Sequence, residues 1–205
     1  MKNLRQRFRA WRGLKHPRIV QVDGHRLHIP IGVLDPVLFR SGQVFAEYLR
    51  HQIGPGETLL DLGCGSGVVG VLAQHSGATV TATDVDPRAC EAALKNGITH
   101  VLEGYLFEPI SGLKFDHIAF NPPYFRGTPS DHPLGRALYG GKELQIVREF
   151  LEGVSSFLHS GGFAWVILSD SEPMAAELLT TKWTPVHQKT VQGEVLQVYR
   201  MQSTS

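Results

Sequence analysis

Two clusters in the sequence combine residue types suited to chemistry. The first is "DLGCGSGVVG" (Asp61–Gly70), where three glycines alternate behind an acid. Asp84 follows roughly twenty residues on, at the end of "TVTATD", the interval at which an acid can accept both hydroxyls of a ribose. Gly63, Gly65 and Gly67 let the chain turn tightly and let a ligand approach without meeting a Cβ. The helix that follows would aim its free N–H groups, a partial positive charge, into the same crevice, which suits a carboxylate or a phosphate equally. Asp61 breaks the tie, because a carboxylate there repels a pyrophosphate but accepts from an ammonium group. A ligand with an ammonium, a carboxylate and a ribose but no phosphate describes S-adenosylmethionine better than NAD. Cys64 and Val85 complete the expected cofactor surface, Cys64 as a small packing residue and not a nucleophile. Asp86 fills the helix-capping role before Pro87, which leaves Asp84 for the ribose.

The second cluster is "FDHIAFNPPY" (Asn121-Pro122-Pro123-Tyr124 after an apolar run). A residue before proline is pushed out of the helical region, and each proline fixes its own φ and has no N–H to donate. The tip is therefore stiff and holds one carboxamide and one aromatic ring in a set relation.

Elements that could position these clusters follow from periodicity. "TLLDLG", "TVTATD", "HVLEGYLF", "FDHIAF" and "FAWVILSD" read as strands; "VVGVLAQHSG", "PRACEAALKNG" and "SEPMAAELL" read as helices. "KELQIVREFLEGVSSFLHSGG" reads as one long amphipathic helix, and "PVHQKTVQGEVLQVYRM" as a closing hairpin turned at Gln192-Gly193. Strand-helix alternation predicts an α/β, Rossmann-like, doubly wound and mostly parallel seven-stranded sheet, with the hairpin as an antiparallel edge. Upstream, "VQVDGHRLHI" reads as a hairpin at Asp23-Gly24 and "IGVLDPVLFRSG" as a loop, with Ser41 capping the helix that follows. The expected organisation is a basic N-terminal helix, hairpin and lid segment over 1–40 and the catalytic domain over 41–205.

The 205 residues suffice for one substantial core. A net charge of +1 conceals an asymmetry: residues 1–18 hold seven Lys/Arg and no acid, so the remainder carries thirteen basic against nineteen acidic residues, a net −6. Leu4, Phe8 and Trp11 recur among those cations at helical spacing, which predicts a short basic amphipathic helix. Two cysteines make no secreted disulfide framework, and neither a membrane-length apolar run nor a signal-peptide core occurs in the sequence. A cytoplasmic, reduced protein is expected. His25 and His28 lack Cys or carboxylate partners nearby, so no metal site is expected.

"DLGCGSGVVG", "ATDVDP" and "FDHIAFNPPY", in this order, resemble class I S-adenosylmethionine-dependent methyltransferases, and more narrowly the HemK-like, methyltransferase small-domain branch that acts on planar nitrogens. The resemblance covers roughly residues 30–201. It implies an enzyme in which Asn121 emerges beside the cofactor's methyl group, so Asn121 counts toward both the cofactor and the catalytic set. The Asn121 side-chain oxygen and the Pro122 carbonyl would hold the two N–H groups of the acceptor, while Tyr124 offers a flat face to it. Relatives commonly carry Asp before Leu-Phe to accept the adenine amine; Tyr105 stands there in this sequence, and Leu106 and Phe107 would flank the adenine. "GVLDPVLFRSG" also lacks the Pro-Arg-Pro-x-Glu stretch of many bacterial release-factor methyltransferases.

The favoured acceptor is a protein glutamine amide or another protein side chain. The alternatives are an exocyclic amine of RNA or DNA, reached through the basic N-terminus, a small molecule, and, least favoured, a non-catalytic binding module. "FRGTPSDHPLGRALYGG" reads as a substrate lid with Arg126 and Arg136 as contacts. The resemblance further allows a small activating partner subunit.

Overall fold

The computed structural model describes residues 16–128 and 135–204. The amphipathic segment expected around Leu4, Phe8 and Trp11 lies outside them. The described residues open with a two-stranded antiparallel hairpin, β1 (Arg18–Val22) and β2 (His25–Ile29), turned at Asp23-Gly24. Where a loop was expected, Pro36–Phe39 forms a short helix, α1, because Asp35 accepts from the Val37 and Leu38 N–H groups and Pro36 presets the first turn. A second helix, α2 (Ser41–Leu49), starts immediately after Arg40.

The alternating part then builds β3 (Thr58–Leu62), α3 (Val68–His75), β4 (Thr79–Asp84), α4 (Pro87–Lys95), β5 (His100–Glu103) and β6 (Phe115–Phe120). After the short helix α5 (Gly135–Leu138) come α6 (Gln145–Gly153), β7 (Leu158–Ser169), α7 (Pro173–Glu177) and the hairpin β8 (Thr184–Val191) and β9 (Glu194–Gln202). The strand order is β5-β4-β3-β6-β7-β9-β8, parallel from β5 to β7 and antiparallel through β9 and β8. The seven-stranded, mostly parallel sheet with an antiparallel C-terminal edge is the one anticipated.

Each face of the sheet carries its own core. On one side Val20, Val22, Leu27 and Ile29 of the first hairpin join Phe45, Leu49, Val71 and Leu72 of α2 and α3. On the other, Val147 and Phe150 of α6 pack with Ile118, Val166 and Trp183. Burial of such side chains is worth about 1.5–3 kcal/mol each and makes up most of the driving force.

Two expected elements are shorter than the sequence suggests. β5 stops at Glu103, and Tyr105 to Phe107 turn away from the sheet, with Leu106 at φ 44. The long helix ends at Gly153, passes through one tight turn over Val154–Phe157 and becomes β7. There Leu158 pairs with Phe115 but Phe163 pairs with His117, so residues 159–162 bulge from the ladder. Pairing with β6 outweighs the helical periodicity of "SSFLHSGG".

Candidate active site

Strand order reverses at β3, between β4 and β6, and ligands of open parallel sheets bind at the carboxyl ends flanking such a reversal. Here β3 delivers Asp61 and the glycine loop, β4 delivers Asp84, and β6 delivers Asn121. The register Leu62↔Phe120 brings Gly63 and Asn121 to the same level. They line a cavity of about 160 Å3 whose walls include Asp61 of β3, Gly63, Cys64 and Gly65 of the loop, Asp84 at the end of β4 and Val85 just beyond it. Leu106 and Asn121 line it as well, with Ser41, Tyr105 and Arg136.

Asp61 is buried and accepts from the Gly70 N–H at 2.9 Å, which ties β3 to the first turn of α3. Burial pushes its carboxyl up to about 7; the Gly70 N–H opposes that shift and the nearby Asp84 adds to it. Asp84 accepts from the Gly65 N–H at 2.8 Å and the Asp86 N–H at 2.9 Å, so its carboxylate shapes the glycine loop as well as facing the cavity. Burial raises its carboxyl too, against those backbone N–H groups. Asp86 takes the capping role assigned to it: it accepts from the Arg88 N–H and pairs with the Arg88 guanidinium.

Gly65 has φ 56, and a Cβ built on it would meet nothing within 4 Å, so this stretch of backbone faces open cavity. Gly67 (φ 76) is different. A Cβ there would stand 2.8 Å from Ile98 Cδ1 and 3.1 Å from Ala93 Cβ, so its role is close packing of α3 on α4, and it is not a wall of the cavity. Phe107 also departs from expectation. Its ring, partly buried, stacks on Phe157 at 4.5 Å and on Phe150 at 6.1 Å, against the second core and outside the cavity lining. The chain reverses at Leu106, which leaves Leu106 on the cavity wall and sends Phe107 inward. Tyr105 lines the cavity, and its hydroxyl donates to Glu149 Oε2 at 2.7 Å.

A second, smaller cavity of about 20 Å3 adjoins the first and shares Ser41 and Asn121 with it. Pro122 and Tyr124 line this smaller space, with Phe39, Phe125 and Glu194. Tyr124 is buried and packs tilted against Phe125 at 4.9 Å, so it forms a wall and not an exposed platform. Asn121 stands at the junction. Its Nδ2 donates to Ser41 Oγ at 3.2 Å, whereas its Oδ1 is buried without a hydrogen-bond partner among the described residues. A buried acceptor with no donor is costly by about 1–3 kcal/mol.

Sequence reasoning missed three members of this arrangement. Ser41 was read as a helix cap, yet α2 begins behind Arg40 without any side-chain cap and the Ser41 hydroxyl serves Asn121. Glu194 reaches the small cavity only through the register of β9, where its carboxylate accepts from Ser169 Oγ at 2.6 Å; nothing local signals this. Phe39 arrives on the unforeseen α1. Arg126, expected at a substrate lid, donates to Glu172 at 3.0 Å; residues 129–134 of that segment lie outside the described residues.

The cavity fits S-adenosylmethionine on the chain's own chemistry. It offers a buried acid for an ammonium, a second acid at a strand end for ribose hydroxyls, an open glycine backbone and apolar walls at Val85 and Leu106.

Comparison with known proteins finds methyltransferases. The family model of the methyltransferase small domain matches residues 40–197. A ribosomal protein L11 methyltransferase of Burkholderia thailandensis is 51% identical over 70 residues, 31% of this chain and 23% of the relative. The matched part therefore spans about a quarter of that relative's length. A protein of Methanocaldococcus jannaschii, named as a protein glutamine methyltransferase, is 27% identical over 162 residues, 74% of this chain and 79% of the relative. Among solved structures, a Thermus thermophilus 16S rRNA methyltransferase in complex with AdoMet and guanosine superposes with a TM-score of 0.66 at 19% identity, over 92% of this chain and 50% of that one. At that identity the likeness speaks for the fold.

Proposed function

The chain belongs to the methyltransferase small-domain family, and on that premise we propose that it transfers the methyl group of S-adenosylmethionine to a planar NH2 group, a protein glutamine amide. The observation that carries this reading is Asn121 at the junction of the two cavities, its buried Oδ1 without a hydrogen-bond partner among the described residues.

In this reading Asp61 accepts from the ligand's ammonium, Asp84 takes the ribose hydroxyls, and Val85 and Leu106 flank the adenine. When bound, S-adenosylmethionine supplies a sulfonium methyl to which the acceptor nitrogen bonds as the carbon–sulfur bond breaks. An amide nitrogen is a poor nucleophile because its lone pair is delocalised into the carbonyl. Asn121 Oδ1 and the Pro122 carbonyl are acceptors with no proton to give, so together they hold the two N–H groups and turn the lone pair toward the methyl. Tyr124 bounds the space in which the planar group lies. Fixed orientation supplies most of the acceleration. No side-chain base is needed before transfer, because the proton leaves a nitrogen already made acidic by the new bond.

A protein substrate is supported by the likeness to the archaeal relative named for glutamine methylation. The seven cations of residues 1–18 favour a second reading, an exocyclic amine on RNA. Incubation with tritiated S-adenosylmethionine and matched protein, RNA and small-molecule fractions separates them. Label in protease-sensitive, nuclease-resistant material is the expected outcome. Asp84→Ala should weaken calorimetric affinity for S-adenosylmethionine about tenfold or more, the scale of lost hydrogen bonds to a charged group. Asn121→Ala should abolish turnover while largely keeping that affinity. Unchanged affinity in the first variant removes the cofactor assignment, and wild-type turnover in the second removes the mechanism.

A further inference from the structure

Ser41 is the first residue of α2, and the chain enters it through Arg40 at φ 61 and ψ −34. That is backbone which non-glycine residues rarely adopt, and such strain persists where the surroundings over-determine it. The turn delivers the hydroxyl of Ser41, a residue only 6% exposed, to the end of β6, where it accepts from Asn121 Nδ2 at 3.2 Å. The helix itself makes no use of a side-chain cap here. Both cavities are lined by Ser41 and Asn121.

From this geometry we infer that Ser41 is a positioning residue for methyl transfer: its hydroxyl anchors one end of the Asn121 carboxamide, so that the other end is presented to the acceptor nitrogen. The inference rests on the methyl-transfer reading above and deepens it. An asparagine carboxamide turns about its last side-chain bond with little resistance. One hydrogen bond to a fixed group removes that freedom and sets the plane of the amide. A hydroxyl can donate as well as accept, so Ser41 alone fixes the plane and not which end faces the cavity. The incoming amine settles the end, because its N–H groups are matched by Oδ1 and opposed by the two hydrogens of Nδ2. In the arrangement observed, Nδ2 donates to Ser41 and Oδ1 has no partner among the described residues. Without Ser41 the carboxamide samples other planes, and each turnover waits for the productive one. The effect therefore falls on the rate and not on cofactor binding.

The test compares Ser41→Ala with Ser41→Thr, which keeps a hydroxyl. The side-chain amide signals of Asn121 in a 15N–1H correlation spectrum, identified by their loss in Asn121→Ala, provide a readout independent of any acceptor. In Ser41→Ala they should shift and exchange faster with solvent, and in Ser41→Thr they should return toward wild type. Calorimetric affinity for S-adenosylmethionine should fall far less than kcat does, because the hydroxyl's partner is the Asn121 carboxamide. With a library of glutamine-containing peptides as acceptor, kcat should fall about tenfold to a hundredfold in Ser41→Ala, with a small change in KM, and recover in Ser41→Thr. If Ser41→Ala does not fold, Ser41→Cys replaces it, being nearly isosteric and a weak acceptor. Asn121 amide signals that ignore the substitution overturn the inference. So does wild-type kcat in Ser41→Ala alongside inactive Asn121→Ala. Active Asn121→Ala would instead overturn the reading of the reaction, with the Ser41 hydrogen bond still reported by the spectrum.

Discussion

At the scale of single residues the two acids do different work, and pH separates them. Burial drives the Asp61 carboxyl up to about 7, well above the value near 3.8 that it has free. An acid whose folded value is raised binds its proton more tightly in the native state. Stability contributed through Asp61 therefore falls as pH climbs from about 4 to about 7 and is level above that. The charged form is nonetheless the one that can hold an ammonium. Affinity for S-adenosylmethionine should accordingly rise with pH, by at most about tenfold per unit, and flatten near pH 7. Asp84 faces the same cavity and is raised by burial as well, so it can widen the titration. Calorimetry between pH 5.5 and 8 in buffers of different ionisation enthalpy checks this: binding at pH 6 should release protons. Asp61→Asn should bind more weakly at pH 8 and lose most of the pH dependence. A flat profile in the parent protein would mean that no ammonium meets this acid.

Elements matter here through the ties between them. Asn96 follows α4, yet its side chain accepts from the His28 N–H at 2.7 Å and donates to the His28 carbonyl at 3.0 Å and the Ser66 carbonyl at 2.8 Å. One carboxamide thus joins the first hairpin, the end of α4 and the glycine loop. Asn96→Ala should destabilise the fold by about 1–3 kcal/mol in urea unfolding, because it strands buried backbone groups, and should weaken cofactor affinity by loosening the loop. Undiminished stability would show that these bonds are replaced by water. This tie could not be read from the sequence, since it joins residues far apart along the chain. What was legible is what local chemistry dictates: the Asp23-Gly24 and Gln192-Gly193 turns, the alternation from Thr58 onward, and Asp86 with Pro87 opening a helix. The glycine loop, Asp84 and Asn121 were legible as a set because each sits at a strand end, and parallel strands bring their ends together. Where two local readings competed, tertiary packing chose between them. Ser41 could cap or reach sideways, Phe107 could face the cavity or the core, and "SSFLHSGG" could continue a helix or start a strand beside β6. Gly67 met the same choice, between backbone beside a ligand and backbone beside another helix, and Ile98 and Ala93 decided it.

For the molecule as a whole the unresolved contrast is electrostatic: seven cations in residues 1–18 precede a remainder of net −6. Arg18 is not a free member of that group, because it pairs with the buried Asp35 that caps α1, and so it belongs to the body of the fold. The six cations that precede it, from Lys2 to Lys15, are the ones a phosphate backbone could meet. An acidic body repels such a backbone, so any nucleic-acid affinity has to come from them. Each neutralised phosphate of a single strand adds about 0.7 to the slope of log K against log salt, so six cations set a ceiling of roughly four. Removing residues 1–15 should lower that slope toward zero if the segment grips RNA, while Arg18, β1 and the cofactor cavity are retained. Methylation of protein acceptors should then persist in the shortened chain, and labelling of RNA should disappear with the slope. A slope that survives the deletion would place the phosphate contacts on the folded body, against its net charge. Loss of protein methylation on deletion would assign the cations to an acidic protein partner instead, and adding salt to the full chain should then weaken that methylation in the same way.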